Sequence, residues 1–437
     1  MPLMAAYIAE MGMMITDMII VGRLGSNELA AVGLAADWFY VLLLIGMGVI
    51  SIVGVLVAQS FGEGNRQGII NAAEQGLIVA VLCSIPVMFA IWYLGPALQY
   101  ARQDPDVIRL ISDYSRPLAL SVLPALLFVV LRNYVTALEK ASGIMTITVV
   151  ALALNLALNY ALVFGRFGMP ALGVVGAAIG TTLVNWLMFF TLAIYVYRSR
   201  HFARYRPSLF PRRIHKETCK EIFLLGLPIT GSQMLGGAMF TVAAIFVGML
   251  GADILAAQLI VYSVIYFCLS TSVAFGDAVR VRVAYGIGIR SVDAARRSAK
   301  IAITLAAVVI LVATLMLWLF PKFLVGIFLD TDDVENKSVL AIALGFSVYA
   351  GLFQLFDGVQ IVLSNGLRGL KDTRSPFWIS LLGYWLIGLG SGALLCFPMG
   401  FGAEGLWWGL IAGTIVAIAL MWLRFEKQLK AAKSRLA

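Results

Sequence analysis

Four acidic side chains lie inside apolar stretches of the sequence, where an ionisable group is costly. They are Glu10, Asp17, Asp37 and Asp357. A charged group at the centre of a membrane-spanning helix costs at least ~2.5–3.5 kcal/mol, so it normally faces a cavity or a partner and has a function. These four are therefore candidates for binding a cation or a proton. Asp277, by contrast, stands close to Arg280 and Arg282, which predicts a structural ion pair.

Two amides extend this polar set. Asn155 and Asn159 are four residues apart, so they share one face of a helix. Carboxylate and amide oxygens suit a hard cation such as Na⁺, and a buried carboxyl group is equally suited to binding a proton. Na⁺ and H⁺ therefore both stay open for Asp17, Asn155 and Asn159, and interhelical hydrogen bonding alone is the structural alternative.

Glu10 and Asp17 are also placed to interact. They are seven residues apart, which is two turns, or about 10 Å, along one helix face. Two carboxylates in one region of low dielectric cannot both ionise cheaply, because at ~10 Å and an effective dielectric of ~20 they repel by about 1.7 kcal/mol. We therefore expect the two to titrate as a coupled pair, and we include Glu10 in the cation-coupling set.

The elements that must position these residues are membrane-spanning helices. Of 437 residues, 61% are hydrophobic and 13% are charged, whereas a soluble domain carries about 25% charged residues. A span needs roughly 20 apolar residues, and the apolar runs predict about twelve. The predicted spans are 2–21, 34–58, 70–96, 116–138, 144–165, 173–197, 222–249, 255–276, 299–320, 338–366, 374–396 and 402–423. The fold class is therefore all-α integral membrane.

The basic residues alternate with the spans. Arg and Lys follow the even-numbered spans, including the last one, while the other loops are sparse or acidic. The positive-inside rule puts the basic loops and the C-terminus in the cytoplasm. The excess of 32 Lys+Arg over 23 Asp+Glu therefore reports topology rather than nucleic-acid binding. The four cysteines lie far apart, which suggests neither a disulfide framework nor a metal site.

An internal repeat divides the chain into two similar six-helix lobes. A shift of 226 residues lays Pro2 on Pro228, and a shift of 229 lays Gly173 on Gly402. The predicted parts are a lobe at 1–197, a basic linker at 198–221, a second lobe at 222–423 and a basic tail at 424–437. An even number of spans in each lobe implies a pseudo-two-fold axis along the membrane normal, with substrate passing between the lobes.

An ion gradient is the only energy source that the sequence suggests. There is no Gly-Lys dipeptide and hence no phosphate-binding G-x-x-x-x-G-K-[ST] loop. The two histidines, His201 and His215, lie in the basic linker, so the spans hold no imidazole for metal chemistry. We therefore expect a secondary transporter rather than an enzyme, with no cofactor and no metal beyond Na⁺ as a coupling ion.

Residues 14–25 and 28–32 are similar to the first-helix signature of the multidrug and toxic compound extrusion (MATE) family. The similarity continues through 57–62, 173–178, 356–360 and 366–369. It covers both halves and is closest to the NorM-like branch. It implies antiport of cationic or amphipathic drugs against Na⁺ or H⁺, with Asp17, Asn155 and Asn159 as the cation site of the first lobe and Asp357 as the acid of the second.

Two positions depart from the family pattern. Gly236, eight residues after Pro228, stands where a glutamate is expected, and Phe353 stands where a tyrosine is expected one turn before Asp357. Gly236 is also the repeat partner of Glu10. Because an aromatic ring can attract a cation, we expect Phe353 to join Asp357 and Asp37 in binding substrate.

Alternatives of other classes are weaker. A flippase for lipid-linked precursors should line its cavity with Arg or Lys, and Arg132 is the one clear basic residue within the body of a span. A channel or receptor does not explain the repeat, which suits alternating access. We expect a multi-pass monomer in the bacterial inner membrane, in contact with lipid and exporting small organic cations or amphipathic drugs.

Overall fold

Helices account for all the regular structure in the part of the chain that the computed structural model describes, namely residues 2–99, 105–209, 211, 213–330, 333 and 336–436. They are α1 (Pro2–Gly22), α2 (Ser26–Ile50), α3 (Val53–Gly62), α4 (Arg66–Trp92), α5 (Leu94–Leu98), α6 (Pro105–Ala119), α7 (Val122–Ala137), α8 (Ser142–Phe164), α9 (Val174–Arg198), α10 (Lys216–Gly248), α11 (Ala252–Gly288), α12 (Val292–Leu319), α13 (Pro321–Val325), α14 (Lys337–Gly369), α15 (Arg374–Ser380), α16 (Gly390–Cys396) and α17 (Gly402–Leu436). A 3₁₀ turn at Arg200–Phe202 and a π-helical segment at Leu381–Leu389 complete the set.

The prediction of about twelve spans is confirmed. Within the described ranges, 11 helices are long and apolar enough to cross a membrane, or up to 12 if a bent pair counts as one span. The bent pair is α6 with α7, which meet at 44°. Sequence reasoning began this span at residue 116, whereas the helix begins at Pro105. The charged residues of α6 hid its first turns from a search for apolar runs.

Local signals explain where several helices begin and end. Asn65 accepts a hydrogen bond from the Gly68 amide at 2.9 Å and caps α4, and Ser291 does the same for the Ala294 amide at 3.2 Å at the start of α12. Such caps satisfy amide groups that lack a partner in the helix. Gly165 ends α8 with φ at +67°, a left-handed conformation that favours glycine.

The chain forms two compact units, Met1–Thr230 and Gly231–Ala437. The first unit contains a core in which α1, α2, α6, α8 and α9 bury side chains such as Ile20 and Tyr114. The second unit has an aromatic core that includes Phe353 and Trp407. The boundary falls inside α10, so one continuous helix contributes to both units.

Residues 424–436, which we predicted as part of a basic tail, continue α17. Asp372, between α14 and α15, accepts hydrogen bonds from Arg424 Nε at 2.6 Å and Gln428 Nε2 at 2.7 Å. It also accepts from the Ser375 hydroxyl at 2.9 Å. Burial raises the pKa of Asp372, but these hydrogen bonds outweigh burial and the net pKa is lowered. The carboxylate therefore holds the C-terminal part of α17 against the segment between α14 and α15.

Asp372→Asn is expected to lower the stability of the second unit by about 2 kcal/mol at neutral pH, because it removes charge-assisted hydrogen bonds. A group with a lowered pKa in the folded state stabilises above its unfolded pKa, and this contribution is lost as pH falls through the folded pKa. The wild type should therefore lose stability below about pH 4 more steeply than the variant. Thermal unfolding of the detergent-solubilised protein between pH 7 and acid measures this difference. Parallel pH curves for the two proteins would contradict it.

Candidate functional site

Asp17 is the centre of a polar cluster in the first unit. It lies on α1, and its two carboxylate oxygens accept hydrogen bonds from Asn159 Nδ2 on α8 and from Thr181 Oγ1 on α9, the latter at 3.0 Å. Asn155 lies within hydrogen-bonding reach of Asp17, and its Oδ1 accepts from Thr16 Oγ1 at 3.2 Å. The structure thus brings together the three residues that we predicted for a cation site.

One atom of this cluster has no partner among the residues that the structure describes. Asn155 and Asn159 are 1% and 0% exposed, and Asn159 Oδ1 is buried without a hydrogen bond from any described residue. Buried polar atoms are nearly always satisfied, so an exception points to a missing partner. This oxygen belongs to the same side-chain amide whose nitrogen donates to Asp17, so it is a fitting ligand for a cation next to the carboxylate.

Thr181 was not predicted. It directly follows Gly180 on α9. A hydroxyl barely disturbs the apolar pattern of a span, so composition gives no warning of it. The usable signal was the pair of hydroxyls at Thr181 and Thr182, since such groups form hydrogen bonds between helices within a membrane.

Glu10 has a partner of opposite charge. Its Oε1 lies 2.8 Å from Arg132 Nη1 on α7, and the Arg132 guanidinium lies over the Tyr7 ring, 5.1 Å from its centroid. Arg132 is 6% exposed. We expected Glu10 and Asp17 to titrate as a coupled pair, but that argument left this cation out. Glu10 is therefore held in an ion pair with Arg132, and its coupling to Asp17 stays a prediction.

Asp357 lies on α14 in the second unit and is 3% exposed. It accepts a hydrogen bond from Tyr384 Oη at 2.5 Å. Tyr384 belongs to the π-helical segment. Such segments are rare in proteins, and those that occur are often found at functional sites. The ideal Cβ position of Gly236 lies 3.9 Å from the Tyr384 ring. A tyrosine from the following span, which the sequence did not single out, therefore lies beside the glycine that replaces the expected glutamate.

Phe353 is not a substrate-facing ring in this structure. It is 0% exposed and makes edge contacts with Phe240 and Trp407, with centroid distances of 5.8 and 6.1 Å. The expectation that it offers an open face to a cation is therefore wrong here, because spacing from Asp357 did not reveal the aromatic neighbours on other helices. By contrast, the predicted ion pair between Asp277 and Arg280 is confirmed at 2.9 Å.

Asp37 is exposed on α2. It has no hydrogen bond or ion pair with any residue in the described ranges. Its candidacy for substrate binding therefore rests on its position in an apolar stretch alone. Among the described residues there is also no group of three or more His, Cys, Asp or Glu side chains that could hold a metal ion.

The sequence matches the MatE family over residues 2–161 and 228–394. It is 35% identical to a probable multidrug resistance protein NorM of Pseudomonas aeruginosa, over 97% of this chain and 87% of that protein. It is 34% identical to the multidrug resistance protein NorM of Burkholderia vietnamiensis, over 97% of this chain and 92% of that protein. These relatives are named for drug resistance and not as enzymes.

Solved structures share the fold. An outward-facing MATE transporter of the MOP superfamily superposes with a TM-score of 0.89 at 19% identity, over 99% of this chain and 94% of that one. A eukaryotic MATE transporter superposes with a TM-score of 0.85 at 21% identity, over 100% of this chain and 97% of that one. Because the family match covers both halves and relatives exceed 30% identity along nearly the whole length, the chain belongs to the MatE family.

Proposed function

We propose that this protein is a secondary active antiporter that exports cationic or amphipathic drugs and metabolites in exchange for Na⁺ or H⁺. The observation that carries the proposal is the buried cluster of Asp17, Asn159 and Thr181, in which Asn159 Oδ1 lacks a partner among the described residues. The names of the relatives support drug export, and the charge pattern of the loops supports a plasma-membrane protein with a cytoplasmic C-terminus. We expect it to act as a monomer.

The chemistry of the cluster serves either ion. A proton needs one carboxylate shielded from water, which Asp17 supplies. Na⁺ needs several oxygen ligands, and Asp17, Asn155, Asn159 and Thr181 supply carboxylate, amide and hydroxyl oxygens. The choice between the two ions is a matter for measurement.

Proteoliposomes loaded with a fluorescent cationic dye test the proposal. A Na⁺ gradient and a pH gradient are imposed in separate experiments, with ionophores that dissipate each as controls. We expect at least one gradient to drive dye movement in the opposite direction to the ion. Dye movement that is unaffected by either gradient would contradict antiport.

A flippase is less well supported. Such a protein needs basic side chains that can receive a pyrophosphate group. Arg132 is buried and paired with Glu10 at 2.8 Å, so the candidate that the sequence offered is engaged within the protein. Movement of a labelled lipid pyrophosphate, with no movement of dyes, would reverse this preference.

Asn155→Ala and Asn159→Ala are each expected to weaken ion coupling without abolishing export. Each change removes a neutral ligand but leaves the carboxylate of Asp17. The apparent affinity for the coupling ion should fall by about three- to tenfold, the equivalent of ~0.7–1.4 kcal/mol. Dye efflux measured against ion concentration gives this value, with Gln59→Ala as a control at an exposed amide whose bond goes to Glu63. Unchanged ion dependence in both variants would remove α8 from the site.

Asp357→Asn is expected to raise the KM for cationic dyes while transport of neutral substrates persists. The reason is that a cation gains from a carboxylate, whereas a neutral substrate does not. Because Tyr384 donates to Asp357, Tyr384→Phe should alter the same KM. Tyr262→Phe is a matched control in the same aromatic core, where the hydroxyl bonds to Gln258. Equal losses for cationic and neutral substrates would contradict the assignment.

A further inference from the structure

The basic linker between α9 and α10 is fixed to the first unit rather than loose. Phe202 is fully buried and packs between the rings of Tyr134 and Tyr195, with centroid distances of 5.9 and 5.7 Å. Tyr134 Oη donates to the Tyr205 carbonyl at 2.8 Å. A side chain of the linker is thus inserted between α7 and α9.

The later part of the linker is held by Gln75 on α4, which is 0% exposed. Its Nε2 donates to the Arg213 carbonyl at 3.1 Å, and its Oε1 accepts from the His215 amide at 3.0 Å. Glu74 accepts from the Ser208 amide at 2.8 Å. The buried Gln75 amide bonds one backbone carbonyl and one backbone N–H of the linker, and so fixes the course of the linker backbone. The side chains of the linker therefore have defined positions.

Exposed apolar stripes on α9 and α10 show where the linker lies relative to the hydrocarbon layer of the membrane. On α9 the stripe consists of Leu187, Phe190 and Ile194, which are 45%, 51% and 57% exposed. The next position on that face, four residues on, is the exposed Arg198. In a membrane-spanning helix an exposed apolar stripe that ends in a basic side chain marks the edge of the hydrocarbon layer.

The same order occurs on α10 in the reverse direction. The exposed Lys220 comes one turn before Leu224, which is 51% exposed, and Leu227, which is 63% exposed. The linker therefore joins two helices at the level where apolar exposure gives way to basic residues. Within it, Ile214 is 65% exposed beside Arg213, an apolar side chain suited to the boundary between headgroups and acyl chains.

The exposed basic side chains of this segment outnumber its acids. They are Arg198, Arg200, Arg204, Arg206, Arg213, Lys216 and Lys220. Arg212 lies outside the described residues, and Glu217 and Glu221 are the two acids of the sequence between 198 and 221. The positive-inside rule requires only that such charges are present in a loop. It does not require buried side chains that hold the loop in place.

We propose that the fixed linker is a binding surface for the headgroups of anionic phospholipids. Arg and Lys pair with phosphate oxygens, and basic residues next to a membrane surface each add roughly fivefold to its attraction for anionic lipid. Fixing the backbone in advance removes the ordering cost that a loose loop would meet on binding. A lipid rather than a soluble phosphate is the partner because apolar stripes flank the surface on both sides.

Lipid binding to the purified full-length protein tests this. Acyl-labelled phosphatidylglycerol and phosphatidylcholine, carrying the same fluorophore, are titrated separately and followed by energy transfer from tryptophan. We expect phosphatidylglycerol to bind at least about tenfold more tightly, and its binding to weaken as NaCl rises from about 0.05 to about 0.5 M. Equal binding of both lipids at low salt would overturn the proposal, and this comparison needs no variant.

The variant Arg198→Gln/Arg200→Gln/Arg213→Gln then locates the surface. Its matched control removes three exposed charges from α17, as Lys427→Gln/Lys430→Gln/Lys433→Gln. The linker variant should lose most of the preference for phosphatidylglycerol, by on the order of tenfold or more, and the control should keep it. An equal loss in both variants would mean that net charge alone is responsible. Competition by soluble glycerol phosphate at the lipid's own concentration would also overturn the assignment to lipid.

Discussion

Replacing Asp17 by Asn abolishes gradient-driven export under the proposed mechanism, while the protein still folds. Asparagine has almost the same shape, and its amide oxygen can accept the bond that Asn159 donates to Asp17. The variant therefore keeps the contacts between α1, α8 and α9 but cannot bind a proton or present a negative charge to Na⁺. Efflux should fall to the leak seen in protein-free vesicles.

The measurement compares dye efflux from proteoliposomes with matched amounts of each protein, under a Na⁺ gradient and under a pH gradient. Asp113→Asn is the matched control, because Asp113 lies on the surface of α6 with its side chain 44% exposed. Thermal unfolding of both variants shows whether the fold is retained. Wild-type efflux from the Asp17 variant would leave this carboxylate with a structural role alone.

Gly180→Ala is expected to impair coupling as strongly as the loss of the Asn159 side chain, although it adds only one methyl group. The ideal Cβ position at Gly180 lies 2.0 Å from Asn159 Oδ1, so the amide must move when a methyl group occupies it. Asn159 then loses its hydrogen bond to Asp17. Alanine is the best helix former, so α9 itself should form normally. Coupled efflux should fall by about tenfold, the equivalent of ~1.4 kcal/mol.

Gly237→Ala provides the control for this change. Gly237 also lies within a helix, and among the described residues no neighbouring side chain or other helix comes within 4 Å of the ideal Cβ position there. It should transport at the wild-type rate under both gradients. A Gly180 variant with wild-type ion affinity would show that Asn159 can shift without loss of the site. If Gly237→Ala lowered the apparent affinity for the coupling ion more than Gly180→Ala does, the cause would be a general effect of alanine on helices and not the contact with Asn159.

The number of spans and the Asp17 cluster could be predicted from the sequence because both depend on the contrast between apolar and polar residues. A carboxylate or an amide in an apolar run is conspicuous, and a spacing of four residues places Asn155 and Asn159 on one face without further information. What it could not supply were partners from helices that are distant in sequence. The spacing of Glu10 from Asp17 says nothing about Arg132 on α7.

The same limit applies to the second unit. One turn of helix separates Phe353 from Asp357, but whether the ring faces a cavity or a core depends on Phe240 and Trp407, which come from other helices. Tyr384 is harder still, since its approach to Asp357 depends on a π-helical segment. No residue preference in Leu381–Leu389 predicts the wider turn of a π-helix, which forms where tertiary packing favours it.

The last helix is much longer than a membrane is thick. Its 35 residues extend over about 52 Å, against a hydrocarbon layer of about 30 Å. Past the predicted span 402–423, it is held by the ion pairs of Arg424 with Asp372 and of Arg296 with Glu426, both 2.6 Å long. A fluorescent protein fused after residue 436 would therefore be attached to a rigid helix and not to a flexible linker. Its distance from the lipid surface would then report tilting of this helix during the transport cycle.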